Sequence, residues 1–121
     1  MNSKPVNKSF LVDGSDTINT SQSDLKKGFI QFSLENTVSM SWWKGIKIFD
    51  SQKNMISMIA LQDHDHGPDS TKQFTTSQFG DIITIEIWKA KIFGVHTLID
   101  TISFTKSDCD GKNTTLFWQN D

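Results

Sequence analysis

The chain has 121 residues, a net charge of −2, twelve Lys with no Arg, and fourteen acidic residues of which twelve are Asp. That length makes one domain with a single core, and the lysines fall singly or as the pair Lys26-Lys27, so no basic stripe exists to neutralise phosphates and nucleic acid is not an expected partner. Cys109 is the sole cysteine, which rules out an intrachain disulfide framework and a CxxC metal or redox site, and no apolar run approaches the ~18 residues of a membrane span.

Helix formers are scarce. Ala and Glu occur twice each, whereas Ser, Thr, Ile and Phe are frequent, so the composition points to strands and turns, with most negative charge on turn-prone Asp. The N-terminus leads into no apolar signal-like stretch, and the chain as read is expected to be soluble, cytoplasmic or released.

Residues 1–27 read as a polar N-terminal segment with one edge strand at 9–12 and a long polar loop after it. Residues 28–121 read as the core. A strand is expected at 29–35, with Ile30, Phe32 and Leu34 inward, and another at 37–43, with Val38, Met40 and Trp42 inward. Lys44-Gly45 reads as a break or bulge, 46–49 continues extended, 50–54 turns, and 55–61 returns as the second arm of a hairpin. A very polar connection at 62–70 leads to a polar strand or extended stretch at 71–78.

The longest pattern follows. Over residues 81–89, Ile83, Ile85 and Ile87 share one face while Ile82, Thr84, Glu86 and Trp88 share the other, the period-two signature of a strand. Residues 95–104 resume the pattern, 106–112 turn with Asp110-Gly111 set for a tight hairpin, and 114–118 close the sheet. The fold class expected is all-β: an antiparallel, jelly-roll-like β-sandwich of about eight short strands.

Chemistry could reside in three places. Asp63-His64-Asp65-His66 puts two imidazoles on one face if extended, and His64 and His66 could then chelate a divalent metal with help from Asp69 or His96. This His-x-His spacing is similar to the first metal motif of cupins, and the resemblance implies a metal-dependent enzyme using His64, His66 and His96. The chain departs from that motif at Ser70 and Thr71, where a Glu would stand, and at Met58, where a Gly would. The bland reading is a solvated loop stopped by Gly67-Pro68.

Asp108, Asp110 and Asn113 offer hard oxygen ligands, and Ca²⁺ is the cofactor such a set would take. The competing reading is a turn and nothing more. Between two carboxylates, Cys109 is expected to be an inert thiol.

The third place is aromatic. Adjacent Trp42 and Trp43 in a strand must point to opposite faces, and Trp88 lies opposite the isoleucine row, so Trp43, Trp88 and Trp118 are candidates to stack on a ligand, with Asp63 and Asp65 fixing its polar groups. Trp43-Lys44-Gly45 and Gly80-Asp81-Ile82-Ile83-Thr84-Ile85 resemble fragments of small calcium-dependent galactose-binding bacterial lectins.

The leading expectation is therefore a non-enzymatic, lectin-like module that binds a carbohydrate or glycoconjugate and self-associates as a homo-oligomer. The alternatives are a membrane-active protein that sets its aromatics at a lipid surface, the cupin-like enzyme, and a protein-interaction module without a small ligand.

Overall fold

The structure, a computed structural model, describes residues 8–11, 16–36, 42–61, 71–91 and 96–120; the side chains of 8–11, 16, 36, 42, 43, 90, 91 and 120 fall outside the description. Within these residues the chain is an all-β sandwich of a five-stranded sheet ordered β1-β2-β9-β3-β6 and a four-stranded sheet ordered β5-β4-β7-β8. The strands are β1 (Lys8–Leu11), β2 (Asp16–Asp24), β3 (Phe29–Asn36), β4 (Trp42–Phe49), β5 (Met55–Leu61), β6 (Thr71–Thr75), β7 (Ile82–Lys91), β8 (His96–Thr105) and β9 (Lys112–Asn120).

Alternation builds the core. Ile30, Phe32 and Leu34 of β3, Ile46 and Ile48 of β4, and Ile83, Ile85 and Ile87 of β7 are all fully buried, where β-branched and aromatic side chains from the two inner faces meet. The inward sets anticipated for β3 and β7 are the ones observed.

Several expectations change. The polar loop anticipated between residues 13 and 27 contains β2, a nine-residue strand held by β1 on one side and β9 on the other. Among its described side chains Ile18 and Thr20 are the buried ones, so its hydrophobic signal is a single residue deep. Lys44-Gly45 is no bulge: the β4–β7 pairing runs without a shift from Trp42↔Lys91 to Phe49↔Thr84, and Lys44 points inward at 1% exposure.

The hairpin anticipated at Asp110-Gly111 is instead a crossover between sheets. Thr105 caps a single helical turn, α1 (Lys106–Cys109), which carries the chain from β8 to β9. There β9 inserts between β2 and β3 and lies parallel to β3, so the sandwich has one parallel pair among antiparallel ones.

That insertion is held from both sides. Leu25 N–H donates to the Gly111 carbonyl and Gly111 N–H donates to the Phe29 carbonyl, each at 2.8 Å, so the loop joining β2 to β3 brackets the start of β9. Gly111 has φ +71°, and a Cβ there would come within 3.2 Å of the Lys27 side chain, which is why glycine stands at this point.

Candidate binding face on the four-stranded sheet

The two outer faces of the sandwich differ in chemistry. On the five-stranded sheet, Ser33 Oγ meets Thr71 Oγ1 at 2.8 Å and donates to Asn113 Oδ1 at 3.1 Å, while Asn113 Nδ2 donates to Thr115 Oγ1 at 3.4 Å. These hydroxyls and amides satisfy one another.

The outer face of the four-stranded sheet is built around the facing pair Gly45 of β4 and Trp88 of β7. With no side chain at Gly45, the sheet surface dips beside the indole into an apolar depression of about 90 Å³ that Met58, Ala60, Lys47 and His96 help to line. The glycine also serves the fold, because a Cβ at this position would lie 3.0 Å from the Ile59 carbonyl of β5. Met58 and Leu98 stand 44% exposed.

The indole is held by charged neighbours at both its ring and its N–H. Trp88 Nε1 donates to Glu86 Oε1 at 3.0 Å, and the Lys47 ammonium lies 4.2 Å from the ring centroid, a cation–π contact. Lys47 and Glu86 are themselves register partners across β4 and β7. A ligand arriving here meets an indole with an ammonium already set against it, not a bare ring. Chambers that enclose a small-molecule substrate run to about 300–1,000 Å³. A 90 Å³ dip recognises an edge or a ring at the surface.

The other sequence candidates do not join this site. Trp118 has no exposed surface, because it shares the inward phase of β9 with Thr114 and Leu116, and the buried Lys44 ammonium lies 5.6 Å from its ring centroid. A stacking role for Trp118 is thereby corrected: it is a core residue. Trp43 belongs to β4 opposite Ala90, and its side chain lies outside the description, as do Asp63, His64, Asp65, His66 and Asp69 entirely.

Asp108, Asp110 and Asn113 are described, and they do not converge on a cation. Asp110 Oδ1 accepts from Gly28 N–H at 2.9 Å and from Thr76 Oγ1 at 2.8 Å, and these bonds hold its carboxyl below the ordinary value. Asn113 is engaged in the hydroxyl layer across the sheet, and Asp108 is exposed on the helical turn. Among the described residues no group of three or more His, Cys, Asp and Glu could hold a metal ion. His96 lies beside the Trp88 depression.

Burial pushes the Cys109 thiol up to about 12, so the thiolate needed for nucleophilic chemistry is not populated near neutrality. Among the described residues no helix is long and apolar enough to cross a membrane.

Sequence reasoning reached Trp88 and missed Gly45 and Lys47. Continuing the alternation of β4 through Lys44-Gly45, instead of interrupting it there, would have placed Gly45 and Lys47 on the face of Trp88. Comparisons with protein-family profiles, with curated proteins and with solved structures return no match.

Proposed function

We propose that the protein is a non-enzymatic, lectin-like binding module, and that the outer face of its four-stranded sheet receives a carbohydrate at Trp88. The observation that carries this reading is the indole set beside the Gly45 depression with Lys47 at its ring and Glu86 at its N–H. An aromatic body supplies the apolar patch a pyranose ring needs, and ammonium, carboxylate and imidazole groups around it supply donors and acceptors for hydroxyls.

Support also comes from the opposite outer face, whose Ser, Thr and Asn side chains are already hydrogen-bonded to one another. The shallowness of the depression and the high thiol pKa of Cys109 fit recognition better than covalent catalysis. A glycan array followed by calorimetric titration tests the proposal. Binding in the micromolar to millimolar range, weakened at least tenfold by Trp88→Ala with the melting temperature kept within a few degrees, is the expected outcome. A blank array would remove the carbohydrate reading.

A second reading rests on Met58 and Leu98, each 44% exposed on strands that flank this face. They suit contact with a protein surface, including a second copy of the chain. Light scattering across a concentration series separates the two, since a homo-oligomer built on this face would lose mass with Met58→Lys.

A further inference from the structure

We infer that the saccharide this face takes is anionic, carrying carboxylate or sulfate groups. This rests on the carbohydrate reading above and names the class of ligand for the same site. The chain as a whole is acidic, with a net charge of −2, yet among the described residues the depression at Trp88 has Lys47 and His96 in its lining and no carboxylate, the nearest being Glu86 at the indole N–H.

The two carboxylates on the nearest stretches of β7 and β8 are turned to other work. Glu86 accepts from the indole N–H, and Asp100 Oδ1 accepts from the backbone N–H of Thr101 at 2.8 Å. Lys47 is thereby left with its ammonium against the ring face, 4.2 Å from the centroid, where an acidic group on a ring docked at Trp88 would meet it.

Lys44 and Lys89, register partners directly next to the Gly45↔Trp88 pair, project into the sandwich at 1% and 6% exposure, so Lys47 is the lysine whose ammonium this face presents. The described carboxylates Asp24, Asp108 and Asp110 gather instead around a separate polar depression beside Lys112 and Gly111. The Lys47 ammonium is what draws an anion to the Trp88 face.

The test compares sulfated or uronate-bearing oligosaccharides with the same chains desulfated and carboxyl-reduced, and includes inorganic sulfate alone. The acidic forms are expected to bind about tenfold or more tightly, as one charge-assisted hydrogen bond warrants, and to weaken as salt rises from 50 to 500 mM. Lys47→Gln should remove most of that preference, weakening the acidic forms by a clearly larger factor than the neutral ones, with the melting temperature kept within a few degrees.

Equal affinity for acidic and neutral forms overturns the inference and leaves the carbohydrate reading standing. Binding of neither overturns both. Complete competition by inorganic sulfate at equal concentration would show that no sugar ring is recognised, and acidic binding unaltered by both Lys47→Gln and Trp88→Ala would place the site elsewhere; either result overturns the inference.

Discussion

One oxygen of Asp110 accepts from Gly28 N–H and from Thr76 Oγ1, joining the β2–β3 loop, the turn after β6 and the start of β9 through a single carboxylate. What reads in sequence as a hard cation ligand is a strut. Because those bonds lower its pKa from the ordinary 3.8, the stability Asp110 contributes is complete above that value and is lost as pH falls below it through the depressed folded value. Asp110→Ala should cost about 1–2 kcal/mol at pH 7, since two donors lose their acceptor at a site partly open to water. The gap between wild type and variant should close as the pH is taken below 3.8, measured by urea unfolding at several pH values. A gap of constant size from pH 7 to pH 2.5 would deny the carboxylate this role.

At the scale of elements, β2 is the part whose importance its composition conceals. Among its described side chains only Ile18 and Thr20 are buried, yet it is registered along its whole length against β9 and carries β1 on its other edge. Deleting residues 1–27 exposes the β9 edge and uncovers Leu116 and Trp118, both now at 0% exposure. The truncated chain should lose its cooperative thermal transition by circular dichroism or aggregate. A truncated chain that melts like the whole would show that the sandwich does not need this strand.

The same elements show which parts of the fold the sequence makes legible. β3 and β7 bury an unbroken row of large apolar side chains every second residue, so their phase is visible without structure. β2 hides because Ile18 is its one buried apolar side chain among those described, and β4 misleads because a lysine, Lys44, stands in its inward row. Long-range pairing is hidden for a different reason. The parallel placement of β9 beside β3 depends on a helical turn and a bracketed glycine, which leave no periodic trace. Of the candidate site, Trp88 follows from its phase in β7, whereas Lys47 follows only once the alternation is carried through Gly45.

For the molecule as a whole, two sheets with unlike outer surfaces make a sided particle. One side carries a hydroxyl and amide layer occupied with itself; the other offers an indole, exposed methionine and leucine, and the Lys47 ammonium. The claim that function sits on the second side is open to direct mapping. Titration of the ¹⁵N-labelled protein with a sulfated oligosaccharide, followed by heteronuclear NMR, reports on each backbone amide and on the Trp88 indole N–H. The shifts are expected to cluster at Gly45, Lys47, Glu86, Trp88 and His96, with Ser33, Thr71 and Thr115 still. Shifts confined to the hydroxyl layer, or to the end of the sandwich around Asp108 and Asp110, would contradict it.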